Sequence, residues 1–143
     1  MIDAHIEKIR NSLPAIAADI FRKRPVLFAY LYGSYATGIV HPHSDLDIGI
    51  FIEDLQENMR LELELALSLE FDNLLTDEVA SEVRIINNLP LVILGNIVTE
   101  GILIYSKDEV LRVEFETSVR SAYFDFLPVI RRYNKEYMDR ICP

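Results

Sequence analysis

The stretch GSYATGIVHPHSDLDIGIFIED, Gly33 to Asp54, sets a Gly-Ser step before a loop and puts two aspartates at the head of an apolar run. Leu46, Ile48, Ile50 and Ile52 alternate, so they line one face of a β-strand, and Asp45 and Asp47 fall on the other. At about 3.3 Å per residue their Cα atoms lie ~6.6 Å apart, and both carboxylates project to the same side. Like charges that close repel and raise at least one pKa unless a cation stands between them. The pair is therefore either a hydrated face or a divalent-metal site. Oxygen ligands alone favour Mg²⁺ or Mn²⁺ over zinc.

Gly33-Ser34 supplies a complementary half. A glycine at a strand end lets the backbone approach a ligand, and the helix start that follows offers unpaired N–H groups to an anion. A nucleoside triphosphate can then lie with its outer phosphates on Ser34 and an inner phosphate bridged by metal to Asp45 and Asp47. Taken singly, Ser34 reads as a plain helix N-cap and Asp45 as a turn cap. Asp47 is harder to place structurally, because aspartate is depleted in strands and a β-branched residue would suit that apolar run better.

Outward from this stretch, apolar residues at helical spacing over 3–22 predict a helix interrupted near Pro14, and Val26 to Tyr32 predicts a buried strand. HPHS is a turn, followed by a strand from Asp45 to Phe51 or Ile52 and a long helix from Leu55 to about Leu75 whose acids form an exposed face. Glu82 to Ile86 reads as a third strand, LVILGNIVTEG as a helix ending near Gly101, and ILIY as a fourth strand. From Asp108 as N-cap, a helical stripe runs to Tyr137 with a break at Pro128. The run EFDNLLTDE is a hydrated helix end. The aromatics Tyr123, Phe124, Phe126, Tyr133 and Tyr137 read as core packing against the sheet, with a partner-binding stripe as the alternative. His41 and His43 read as a solvated turn rather than a metal pair, since no third ligand lies nearby in sequence.

The 143 residues, half of them hydrophobic, suit one domain, 1–143, with a helical segment at 1–24 and another at 108–143 packed on it. The predicted class is α/β: a small, mixed, twisted sheet of about four strands with helices on one face and the site on its open edge. No apolar run reaches the ~20 residues of a membrane span, and the N-terminus lacks a signal-peptide apolar region, so the cytoplasm is the expected location and no membrane is expected as a partner. The single cysteine, Cys142, excludes a disulfide framework and a Cys-rich zinc site. A formal net charge of -9 repels a phosphate backbone, so direct nucleic-acid binding is not expected.

Gly-Ser, ten residues, Asp-x-Asp resembles the signature of the DNA polymerase beta superfamily of nucleotidyltransferases. GSYATG…SDLDIGIFIED looks like its minimal nucleotidyltransferase (MNT) branch, and VRIINNLPLVILGNIVTEGILIYSKDEVLRVEFE resembles that branch's second half, so the likeness covers about Val26 to Phe126. The resemblance implies a polymerase-beta-like nucleotidyltransferase fold, a triphosphate held by Gly33 and Ser34, and Mg²⁺ held by Asp45 and Asp47. A third carboxylate is implied on the next strand. Glu82 lines up there, where aspartate is more usual, and reads as third ligand, as base, or as an exposed acid at a strand start. Thr37 is a second departure, because many relatives carry arginine there. The implied reaction is transfer of AMP from ATP to a hydroxyl, and the implied partner is a HEPN-type ribonuclease toxin whose tyrosine accepts it. A contact-only antitoxin and a small-molecule nucleotidyltransferase, acting for instance on an antibiotic, are the alternatives.

Overall fold

A computed structural model describes residues 4–75 and 79–141 of the chain. The apolar run before Gly33 is β1 (Val26–Tyr32), which pairs antiparallel with β2 (Leu46–Ile52) on one side and β4 (Ile102–Ser106) on the other. β3 (Ser81–Ile85) joins the far side of β2 in parallel, completing a mixed sheet in the order β3-β2-β1-β4. The helices are α1 (Ala4–Phe21), the single turn α2 (Ser34–Thr37), α3 (Glu57–Leu74), α4 (Leu91–Glu100) and α5 (Glu109–Ile141).

Both faces of the sheet carry helices, where one covered face was predicted. Leu31, Ile48, Ile50 and Ile52 meet Ile9, Leu13 and Phe21 of α1 and Leu67 and Phe71 of α3 in one core. The opposite positions Phe28, Tyr30 and Ile86 are apolar too, and they pack under Ile97 of α4 and Leu111 and Phe115 of α5. A second apolar face left in water would lose about 25 cal/mol for each Å² exposed, so it requires its own cover. Phe28 stacks on Phe51 at 4.7 Å between ring centres, and Phe115 lies 5.3 and 5.2 Å from the two.

Neither proline interrupts its helix. Pro14 lies inside α1 and Pro128 inside α5, each on an exposed position. A missing N–H on the solvent side leaves a carbonyl that water satisfies, while the apolar side keeps the helix on course.

The exposed acidic face predicted for α3 is partly a structural device. β3 is an edge strand, and its outward N–H groups would stand open. Side chains one helical turn apart on α3 meet them instead: Ile85 N donates to Glu64 Oε2 (2.8 Å), Val83 N to Ser68 Oγ (3.0 Å) and Ser81 N to Asp72 Oδ1 (2.7 Å). Glu70 in the same helix pairs with Arg24. The end of α3 is therefore not simply hydrated, and Thr76 to Glu78 of that run lie outside the described residues. Glu64→Ala is expected to cost about 1–3 kcal/mol by orphaning the Ile85 amide, seen as a lower melting temperature and faster hydrogen exchange at that amide.

Asp108 caps α5 as predicted, accepting from Leu111 N at 3.0 Å. Tyr123 lies close over Gly95, but Phe124, Phe126, Tyr133 and Tyr137 are exposed rather than core. Length explains the difference. At ~1.5 Å per residue α5 is about 50 Å long, whereas a seven-residue strand spans ~23 Å. Val119 is the only buried residue of α5, and beyond Tyr123 the helix runs past the sheet. Among the described residues no helix is long and apolar enough to cross a membrane.

Candidate active site

The register of three strands assembles the site at one end of the sheet. Tyr32, the last residue of β1, pairs with Asp47 of β2, and Asp47 pairs with Glu82 of β3. Paired residues share a face, so Asp47 and Glu82 stand side by side on the face covered by α4. Asp45 lies just before β2, not in it, and is exposed; Asp47 is half-buried and Glu82 exposed.

Gly33 follows Tyr32 with φ 72° and ψ −151°, a conformation essentially restricted to glycine. It also touches the carboxylate: a Cβ at Gly33 would overlap Asp47 Oδ2. Gly33, not Ser34, is the N-cap of α2, and Ser34 is the first helical residue. The Ser34 hydroxyl takes no part in capping, because Gly33 O accepts from Ala36 N and Thr37 N, each at 3.1 Å. This places the Ser34 backbone one residue from a glycine in contact with Asp47.

Three neighbouring acids have an electrostatic cost. Burial chiefly, then the charges of Glu82 and Asp45, push the Asp47 carboxyl up to about 6, against the opposing pull of Arg84. The Tyr32 hydroxyl is buried without a hydrogen bond of ordinary geometry; burial raises its pKa, Arg84 lowers it, and Asp47 and Glu82 raise it. Burial, and secondarily Asp45, raise that of Tyr35.

Among the described residues no three His, Cys, Asp or Glu side chains close around a metal by themselves. Such a cage is not what Mg²⁺ requires, since it keeps several waters and binds through one or two carboxylates plus substrate phosphates. Asp45 and Asp47 fit that donor set, with Glu82 beside them. His41 and His43 are exposed, in a turn closed by Ser44, whose Oγ accepts from His41 N at 2.8 Å.

A cleft of about 320 Å³ opens beside the site, lined by Tyr32, Gly33, Arg84, Ile93, Asn96 and Glu100. A larger groove of about 510 Å³ lies at the opposite end of β2, against Phe51, Asp54 and Arg60, and contains none of the predicted site residues.

Sequence reasoning missed two arginines. Arg84 was legible, because alternation places it with Glu82 on one face. Arg10 was not, being 25 residues from its partner: from α1 its Nε donates to Tyr35 O at 2.7 Å and its Nη2 to Ala36 O at 2.6 Å. It ties α2 down by its last carbonyls, as a charge-assisted C-terminal cap. Arg10→Ala is expected to cost about 1–3 kcal/mol by leaving the Tyr35 and Ala36 carbonyls without their charged donor, measured as a lower melting temperature.

The family described as Polymerase beta, Nucleotidyltransferase matches residues 16–110, and the chain belongs to it. No curated protein matches the sequence. Among solved structures, a chain of a toxin–antitoxin crystal structure with AMP-PNP is similar at TM-score 0.67 and 21% identity, over 87% of this chain and 98% of that one. A chain from the complex of tri-AMPylated Shewanella oneidensis HEPN toxin with MNT antitoxin is similar at TM-score 0.61 and 19% identity, over 93% and 98%. The MntA-HepT toxin–antitoxin structure gives TM-score 0.63 and 18% identity, over 90% and 98%. At such identities the likeness speaks for the fold.

Proposed function

We propose that the protein is a Mg²⁺-dependent nucleotidyltransferase that moves AMP from ATP to a hydroxyl, a tyrosine, of a HEPN ribonuclease toxin and acts as its antitoxin. The observation that carries this reading is the contact between the Gly33 position and the Asp47 carboxylate, with Glu82 in register beside it. A phosphate-binding turn and a metal-binding pair are useful together only if one triphosphate reaches both. Support for the acceptor comes from the similar structures, one with AMP-PNP and one with an AMPylated HEPN toxin.

In this reading the Ser34 turn would hold the outer phosphates, and Asp45 and Asp47 would hold Mg²⁺, which would supply neutralisation of the phosphate charge. The acceptor oxygen attacks the α-phosphorus, the bond to the bridging oxygen of the β-phosphate breaks, and pyrophosphate leaves. Glu82, on the edge strand, takes the acceptor proton. The purified protein with Mg²⁺, α-labelled ATP and its co-encoded toxin is expected to label the toxin. Absence of label at every metal concentration contradicts the proposal.

One observation favours a second reading. The exposed Phe126, Tyr133, Tyr137 and Ile141 of α5 form an apolar stripe suited to neutralising a toxin by contact alone. Full toxin suppression by a folded Asp47→Asn variant would select this reading over transfer.

A further inference from the structure

We infer that Arg84 is a nucleotide-binding residue, the fixed cation that receives a phosphate oxygen of the bound nucleoside triphosphate. The inference rests on the nucleotidyltransferase reading above. Its first ground is position. Arg84 pairs in register with Gly49, two residues beyond Asp47, and shares the face of Asp47 and Glu82. Gly49 has no side chain, and a Cβ there would lie 3.3 Å from the Tyr32 ring and 2.8 Å from Ile86 Cγ2. That vacant place lets Tyr32 lie across β2, with its hydroxyl and the Asp47 carboxylate in electrostatic reach of the guanidinium. Arg84 also lines the cleft that contains Gly33, and together with Glu82 it borders a groove beside α3 at the sheet edge.

The second ground is charge. Site and cleft together hold four carboxylates, Asp45, Asp47, Glu82 and Glu100, and one cationic side chain, Arg84. Among the described residues Arg84 forms no ion pair, whereas Arg24, Arg112 and Arg120 are all taken up by glutamates. A polyanion entering a surplus of carboxylates needs positive charge, and a guanidinium offers a planar pair of N–H donors matched to phosphate oxygens. Arg84 is placed to take part of that load beside the divalent ion.

The same position makes two opposite consequences measurable. Without nucleotide, Arg84 stands near the carboxylates as a like charge to an incoming metal; with nucleotide, it attracts. Arg84→Met in the full-length chain is therefore expected to bind Mn²⁺ alone about two- to five-fold more tightly, and AMP-PNP in saturating Mg²⁺ about ten-fold more weakly. A merely structural arginine would not move the two affinities in opposite directions. Calorimetric titration of each ligand reads both, with Arg84→Gln as the second variant should the methionine variant not fold. Undiminished AMP-PNP affinity in the folded variant overturns the assignment, whatever happens to Mn²⁺. Failure of the unaltered protein to bind AMP-PNP removes the nucleotide reading itself, which separates the two failures.

Discussion

Asp47→Asn is expected to lower AMP transfer by about 10³-fold or more, while raising the melting temperature of the metal-free protein at pH 7.5. In the proposed reaction the loss follows from removing a carboxylate that would join the metal to phosphate. The gain follows from the cost of holding Asp47 ionised. Its carboxyl is pushed up to about 6 from 3.8, mainly by burial and then by Glu82 and Asp45. Between those two pH values the folded chain keeps a proton that the unfolded chain has released. This contribution to stability is full below pH 4, falls as pH rises through 6, and is constant above. Asp47 is only half-buried, so screening by water reduces the effect to about 1 kcal/mol, or about 3 °C for a chain of this size. Asparagine removes the pH dependence along with the repulsion. Scanning calorimetry from pH 4 to 8, with and without Mg²⁺, measures both: saturating Mg²⁺ is expected to stabilise the unaltered protein above pH 6 and not the variant.

Gly33→Ala is expected to be the more damaging exchange, lowering stability by about 2–4 kcal/mol and abolishing AMP-PNP binding. Two independent effects coincide there. The backbone conformation, φ 72° with ψ −151°, is poorly accessible to any residue with a Cβ, and the added carbon would displace Asp47 Oδ2. Gly38, at φ 89°, is the control, because it lies at the far end of α2. Gly38→Ala is expected to cost about 1 kcal/mol and to leave nucleotide binding nearly intact. Paired melting curves and AMP-PNP titrations distinguish strain alone from strain that also moves a carboxylate.

The parts of the fold visible in the sequence were those in which one local rule dominates. The strands were bounded by apolar runs and glycine, and predicted ends differ from the observed ones by a residue or so: Asp45 against Leu46 for β2, Glu82 against Ser81 for β3. The convergence of Gly33, Asp45 and Asp47 at one end of the sheet follows from strand alternation and a fixed loop length, both of which can be read from sequence. What could not be read depends on partners far apart in the chain. Arg10 meets α2 across 25 residues, and Glu64, Ser68 and Asp72 meet an edge strand that folds beside them only when β3 pairs with β2. The tail aromatics have the spacing of an apolar stripe, which suits either a core or a partner, and Phe124, Phe126, Tyr133 and Tyr137 are exposed. Periodicity reports which side of a helix is apolar, not whether the helix outruns the sheet.

The most direct measurement is the position of the divalent ion. Crystals grown with Mn²⁺ and AMP-PNP are expected to give an anomalous peak at about 2.1 Å from oxygens of Asp45 and Asp47, with the outer phosphates against the Ser34 turn. Manganese elsewhere, or a triphosphate bound away from Gly33-Ser34 while the two aspartates hold only water, would contradict the single shared site on which the proposed transfer depends.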